Sequence, residues 1–236
     1  MTFLITNDDG IDAPGIRTLY SAISKVTQNK VILVAPKDNL TGCSHQINTR
    51  TKIHVERRAS FEFAVASTPV DCVRLGITHL CDDVTFVLSG INAGCNLGIA
   101  DFYPSGTIAA VREASLHGIP GIAFSQFRKF GLELNWNQTE QWTIKVLNIL
   151  LNHTLEKGSF WNVNFPYLCS KSPEPEIVFC ELCNHPLSTE FKLDGEYFQY
   201  IGRDINRISA PSTDVSACLS GKIAITKIGF YQINYR

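Results

Sequence analysis

Short, largely apolar runs recur along this chain between stretches of helical periodicity, and that pattern constrains the fold more than any other feature. Phe3-Leu4-Ile5, Val31-Ile32-Leu33-Val34 and the stretch from Val84 to Leu88 lack the alternation of a sheet with one wet face, so each reads as a core strand. Between the first two, Ile16, Leu19, Tyr20 and Ile23 repeat at the spacing of one helical face. Pro14 suits the first turn of that helix, and Asp12 is a candidate cap. Strand, helix and strand in this order predict an α/β protein with a largely parallel sheet covered by helices.

The pattern continues with variations. Residues 45–66 carry a weak alternation, Ile53, Val55, then Phe61, Phe63 and Val65, which suggests a hairpin or edge pair. Thr68-Pro69-Val70-Asp71 has a capping threonine, a proline at the first helical position and an acid where a capping box places one, with Val70, Val73, Ile77 and Leu80 on one face. A helix is predicted from Ser105 to His117 with Ile108, Val111 and Leu116 inward, then a strand at Ile122–Phe124 and a helix from Thr139 to Leu151. Trp161 to Phe165 reads as an alternating strand that Pro166 ends. Beyond Pro166 come a proline-rich turn, mixed aromatic and polar residues from Phe191 to Ile201, and a last strand at Ile223–Thr226. The expected division is therefore a core over residues 1–166 and a C-terminal subdomain over 167–236, without a long linker.

Composition narrows the function classes. The 21 basic and 22 acidic side chains leave a formal charge of -1, which removes the broad basic surface of a nucleic-acid polymer binder. No apolar run approaches bilayer length, and carboxylates follow the start too soon for a secretory leader, so a cytoplasmic protein without membrane contact is expected. The eight cysteines are scattered and read as mostly reduced, buried thiols. Cys180 and Cys183 form an isolated C-x-x-C without a second pair, more consistent with two strand cysteines than with zinc.

In open α/β sheets ligands bind beyond the carboxyl ends of the strands. The loops there read Thr6-Asn7-Asp8-Asp9-Gly10, Asn39-Leu40-Thr41-Gly42 and Ser89 to Asn96, and Ser105-Gly106-Thr107 opens a helix. A glycine after paired acids lets the backbone turn both carboxylates toward one point. Asp8 and Asp9, with the Thr41 hydroxyl and the Asn92 amide oxygen, make an oxygen-only donor set suited to Mg²⁺, Mn²⁺ or Ca²⁺; the plainer alternative is that the acids cap the turn. Ser105, Gly106 and Thr107 offer hydroxyls and N–H groups at a helix start, as a phosphate cradle would, or simply a serine cap. Acids and cradle together point to phosphate-ester hydrolysis. No Cys is followed six positions later by Arg, and Asp-x-Asp, G-x-G-x-x-G and the P-loop motif are absent, which argues against covalent phosphatases and dinucleotide or P-loop sites. His45, close after Thr41, is a candidate neighbour of the site, with solvent exposure as the default.

These same residues resemble a known family. Ile5-Thr-Asn-Asp-Asp-Gly-Ile-Asp-Ala-Pro-Gly-Ile16, Asn39-Leu-Thr-Gly42, Thr68-Pro-Val-Asp-Cys-Val73, Leu88-Ser-Gly-Ile-Asn-Ala-Gly-Cys-Asn-Leu-Gly98, Tyr103-Pro-Ser-Gly-Thr107 and Asn162-Val-Asn-Phe-Pro166 are similar to the ordered motifs of the stationary-phase survival protein SurE family of metal-dependent 5′/3′-nucleotidases. The resemblance implies a Rossmann-like three-layer α/β/α fold with a C-terminal oligomerisation extension, in dimers or tetramers. It implies hydrolysis of nucleoside 5′-monophosphates, with 3′-monophosphates or polyphosphate as further substrates, and one divalent metal ion per subunit, Mg²⁺ or Mn²⁺. Metal ligands would fall on Asp8, Asp9, Thr41 and Asn92, catalysis on Asp8 and Asp9, and phosphate contacts on Asn96, Ser105, Gly106 and Thr107. Thr41 stands where the family usually has serine; the donor oxygen is kept and the methyl restricts its rotamer. The alternative weighed against this is a nucleotide- or phosphate-binding regulator without turnover.

Overall fold

The structure is a computed structural model in which residues 1–129, 131–169, 172–202 and 207–229 are described. Strand β1 (Thr2–Thr6) leads into helix α1 (Pro14–Val26) and strand β2 (Lys30–Pro36); β3 (Val55–Ala59) and β4 (Glu62–Val65) follow. Helix α2 (Pro69–Leu75) runs on as a π turn over Gly76–Leu80 before β5 (Val84–Asn92), α3 (Gly98–Phe102) and α4 (Gly106–Leu116). Then come β6 (Gly121–Gln126), α5 (Trp136–Leu150), β7 (Ser159–Phe165), β8 (Ile177–Phe179), β9 (Phe191–Asp194), β10 (Tyr197–Tyr200), α6 (Asp214–Leu219) and β11 (Ile223–Gly229).

Nine strands form one sheet in the order β3-β4-β2-β1-β5-β6-β7-β11-β8. From β4 to β7 all neighbours are parallel, β3 and β11 pair antiparallel to β4 and β7, and β8 is parallel to β11. The chain builds outward from β1 in one direction through β2 and in the other through β5, so the crevice between these strands is the topological switch point. Helices α1 and α5 pack together on one face, α2 and α4 on the other. The apolar runs are continuous because both faces are covered: Phe3 and Ile5 enter the core under α1 and α5, while Leu4 enters the core under α2 and α4. Burying one such side chain from water stabilises the fold by roughly 1.5–3 kcal/mol.

Several local expectations need correction. The N-cap of α1 is Ala13, because Pro14 takes the first helical position, and the exposed Asp12 carboxylate is drawn to Arg58 at 2.7 Å instead. Leu116 is 60% exposed rather than inward; α4 ends there, and its inner face is carried by Ile108, Val111 and the small Ala110 and Ala114. Helix α5 begins three residues earlier than Thr139, at Trp136, since the Asn135 side chain accepts from the Gln138 N–H. Strand β7 is buried along its whole length, including Asn162 and Asn164. Thr68 caps α2 as expected, accepting from the Asp71 N–H.

Strands β8 and β11, from beyond Pro166, extend the same sheet. The β9–β10 hairpin forms a separate two-stranded sheet and exposes Phe191, Leu193, Tyr197 and Phe198. All eight cysteines are free thiols; Cys72, Cys81, Cys183 and Cys218 are buried, whereas Cys169 is exposed, so burial holds for only half. Cys180 and Cys183 lie just past β8 rather than in a strand, and their sulfurs face different partners, Thr226 and the Ile208 carbonyl. No helix among the described residues is long and apolar enough to cross a membrane.

Candidate active site

The turn after β1 is built by its own residues. Gly10 has φ +101°, a region that side chains with a Cβ rarely adopt, and the buried Asn7 amide donates to its carbonyl at 2.7 Å. The turn sends the two acids to different walls of one crevice. Asp8 is buried and accepts the Thr107 hydroxyl at 2.6 Å and the Thr107 N–H at 3.2 Å, at the start of α4. Asp9 accepts the Ala93 N–H at 3.0 Å, beside Asn92 at the end of β5. The loop after β2 joins them through Leu40, whose N–H donates to the Asp8 carbonyl at 2.8 Å. Its next residue, Thr41, is held by Asn39 Oδ1, which accepts both the Thr41 N–H at 2.8 Å and its hydroxyl at 2.6 Å. Asn92 donates its amide N–H to the Gly94 carbonyl at 3.0 Å.

The predicted cradle is occupied from within. Ser105 caps α4 by accepting from the Ile108 N–H, the plainer of its two expected roles, and Thr107 is committed to Asp8. Gly106 packs directly on the acid: a Cβ there would stand 2.9 Å from Asp8 Cβ. Asn96 is held by its neighbours. Its amide donates to Ser125, its N–H to Asn164 Oδ1, and its carbonyl accepts from both Asn162 and Asn164; none of these bonds reaches Asp8, Asp9 or the start of α4.

Burial pushes the Asp8 carboxyl up to about 6, partly offset by the Thr107 hydroxyl and reinforced by the nearby Asp9 charge. Burial raises Asp9 as well. Among the described residues no cationic side chain is bonded to these two adjacent, desolvated carboxylates, the condition that a bound cation relieves. Among the described residues no group of three or more His, Cys, Asp or Glu converges as a metal cluster, so a cation held by Asp8 and Asp9 would need neutral oxygen donors beside them, the part the sequence suggests for the Thr41 hydroxyl and the Asn92 amide oxygen. The chemistry of the donor set fits a hard divalent ion. The half-buried Cys43 thiol, beside Gly106, is pushed up to about 11 by burial and by Asp8, so it stays protonated and is no thiolate ligand at neutral pH.

A pH dependence follows. Because Asp8 holds its proton more tightly when folded, its own contribution to the stability of the metal-free protein is present below about pH 4 and is lost as pH rises through about 6, by on the order of 3 kcal/mol. Cation binding opposes this loss. Thermal unfolding with and without Mn²⁺ is expected to show a larger rise in Tm at pH 8 than at pH 5; equal shifts would contradict the assignment.

Residues the sequence did not single out complete the surroundings. Glu113, buried on α4, accepts from His45 at 2.9 Å, Arg74 at 2.9 Å and His117 at 3.1 Å, and is held down to about 2, chiefly by His45. Arg112 donates to His45 Nδ1 at 3.0 Å, so His45 Nε2 carries the proton shared with Glu113. His45 is thus half-buried rather than solvent-exposed, and it ties the loop bearing Thr41 to α4. Asn162 and Asn164 carried a sequence signal, polar positions in a strand otherwise suited to the core.

Fold and site together define a doubly wound α/β protein with an acidic, oxygen-rich centre at its switch point. The family model described as "Survival protein SurE" matches residues 3–189. A protein of Nostoc sp. is 49% identical over 228 residues, 97% of this chain and 99% of its own length. The 5′-nucleotidase SurE of Clostridium beijerinckii is 33% identical over 241 residues, covering 98% and 93%. The crystal structure of the SurE protein from Aquifex aeolicus superposes with a TM-score of 0.87 at 28% identity, over 100% of this chain and 96% of that one. The chain belongs to the survival protein SurE family.

Proposed function

We propose that this protein is a metal-dependent phosphohydrolase that releases phosphate from nucleoside 5′-monophosphates. The observation that carries the reading is the convergence of the buried Asp8, the neighbouring Asp9 and the start of α4 at the switch point, in a chain whose Clostridium relative is named a 5′-nucleotidase. Asp8, Asp9, Thr41 and Asn92 would hold one Mg²⁺ or Mn²⁺ per subunit, and such an ion supplies positive charge that polarises a phosphoryl oxygen and activates water. Thr107 holds Asp8 in place, and Asp9, through the oxygen that Ala93 leaves open, orients the attacking water. Ser105 and Gly106 turn the positive end of α4 toward the phosphate. Asn96 acts by positioning the loop after β5 through Ser125, Asn162 and Asn164. Phosphate release from 5′-AMP, 3′-AMP and polyphosphate with Mg²⁺ or Mn²⁺ tests this; no release from any 5′-mononucleotide with either metal defeats it.

Residues 1–166 form the catalytic core in this reading, and 167–236 complete the sheet and carry contacts between copies, as a dimer or tetramer. The β9–β10 hairpin supports it, because a soluble monomer rarely displays so many neighbouring aromatic side chains. Tyr197→Glu with Phe198→Glu is expected to reduce the mass measured by light scattering to that of one chain. An unchanged oligomer mass, or a wild-type monomer, would refute the assignment of the hairpin.

A further inference from the structure

The stretch from Ala93 to Thr107 touches both acids of the candidate site. Its first residue gives an N–H to Asp9, and its last gives a hydroxyl and an N–H to Asp8. The first half is tied to β6 and β7 through Asn96, and the second half is tied to the Thr41 loop, where Ser44 donates to the Tyr103 and Pro104 carbonyls. Gly98 is the joint between the halves, and what holds it comes from far along the chain. It turns with φ +63°, and its N–H donates to Asp214 Oδ2 at 2.7 Å. The Ile99 N–H donates to the Cys183 carbonyl at 2.7 Å. The approach leaves no room for a side chain, since a Cβ on Gly98 would stand 2.9 Å from the Cys183 carbonyl oxygen. Just before the joint, Arg207 donates to the Leu97 carbonyl at 2.9 Å and to Asp101 Oδ2 at 2.6 Å, the oxygen that also accepts the Leu97 N–H.

Asp214 opens α6 and is fully buried. Besides the Gly98 N–H on Oδ2, its Oδ1 accepts the Cys183 and Val215 N–H groups at 2.9 Å each. Three stretches of chain therefore meet on one carboxylate. A local turn at the start of α6 needs only the Val215 bond, which a neutral side chain could accept. A buried charge is costly unless its oxygens are bonded, and N–H bonds to a carboxylate are roughly twice as strong as neutral ones. The charge thus buys a firm grip on Gly98, the one of its three partners that lies between Asp8 and Asp9.

We infer that Asp214 is a positioning residue for the metal centre: from beyond Pro166 it fixes the joint at Gly98, and with it the spacing between the walls that carry Asp8 and Asp9. This rests on the nucleotidase reading and extends its machinery into the C-terminal part, so that the segment from Cys183 to Asp214 belongs to the catalytic unit as well as to the sheet. It acts as an outer partner of the site, through backbone rather than through the metal or the substrate.

Asp214→Asn is the decisive variant. Its amide oxygen can keep the Cys183 and Val215 bonds, while its NH₂ group faces the Gly98 N–H, two donors with no acceptor between them. Calorimetric titration of the full chain with Mn²⁺ is expected to show binding weakened about tenfold, and phosphate release from 5′-AMP should fall about 10- to 100-fold, with the loss persisting in kcat at saturating Mn²⁺. Arg207→Gln, which loosens the same joint from its other side, should weaken Mn²⁺ binding in the same direction, and it carries the test if Asp214→Asn yields no folded protein. Leu219→Ala is the control. Leu219 packs on the apolar cluster at the other end of α6, so this variant should lower Tm yet keep wild-type Mn²⁺ affinity and kcat. Wild-type Mn²⁺ affinity and kcat in the folded Asp214→Asn or Arg207→Gln protein, or matching losses in Leu219→Ala, would overturn the positioning role and leave the nucleotidase reading intact. A wild-type protein that binds Mn²⁺ but releases no phosphate from any nucleotide would defeat that reading alone, with the Mn²⁺ titrations still deciding the part played by Asp214. No Mn²⁺ binding by the wild type would overturn both.

Discussion

Asp8→Asn is expected to lower kcat/KM for 5′-AMP by about 10³-fold while leaving the metal-free protein folded. The two effects separate because Asp8 has two roles. Its oxygens accept the Thr107 hydroxyl and N–H, and an asparagine oxygen preserves at least the first of these bonds. Among the described residues no cationic side chain is bonded to it, so removing its charge relieves the desolvation that pushes the carboxyl up to about 6. The Asp8→Asn protein should therefore lose less stability between pH 4 and pH 6 than the wild type, and its Tm should respond weakly to Mn²⁺. Asp9→Asn should also lose activity, since Asp9 lies on the opposite wall beside Ala93. Calorimetric titration with Mn²⁺ and phosphate release from AMP check both variants. Full Mg²⁺-dependent release by Asp9→Asn would remove it from the catalytic set, and an Asp8→Asn protein that melts early without metal would make Asp8 a structural residue.

The second large effect is expected at Gly106. A Cβ there would stand 2.8 Å from Cys43 Sγ, 2.9 Å from Asp8 Cβ and 3.0 Å from Asp8 Oδ2, so alanine must push the Thr41-bearing loop away, displace the acid, or both. Small displacements of a reacting centre are costly, and Gly106→Ala should lower kcat/KM by about 10²-fold. Overpacking should reduce stability by about 1–3 kcal/mol. Adding Cys43→Ala removes one of the two clashing groups and is expected to restore part of the stability and less of the activity, because the contact with Asp8 remains. If Gly106→Ala retains wild-type kcat/KM and Mn²⁺ affinity, the close approach of α4 to Asp8 does not shape the site. The comparison also separates steric crowding from a loss of backbone freedom, since Gly106 begins a regular helix.

The candidate site was legible in the sequence to the extent that its residues are local. Asp8, Asp9 and Gly10 form one turn, and the shared direction of parallel strands brings the loops after β1, β2 and β5 to the same edge. The use made of each group was less legible. Thr107 was a candidate phosphate contact, yet both its hydroxyl and its N–H go to Asp8, a residue about a hundred positions earlier. Asn96 lies within the site motif, but its bonds run to Ser125, Asn162 and Asn164. His45 had no local signal for its place between Arg112 and Glu113, because the partner helix comes more than sixty residues later.

The same distinction governs the fold. Apolar runs determined that β1 and the later residues of β2 and β5 are buried on both faces, and Thr68-Pro69 determined where α2 begins, because burial period and capping are properties of neighbouring residues. Only the tertiary structure decided that β11 runs antiparallel beside β7 and that Asn162 and Asn164 are core residues. These depend on which distant surfaces meet. What the recurring apolar runs settle by themselves is a sheet covered on both sides; which side chains meet at its switch point is set by packing across that sheet, where spacing along the chain carries no information.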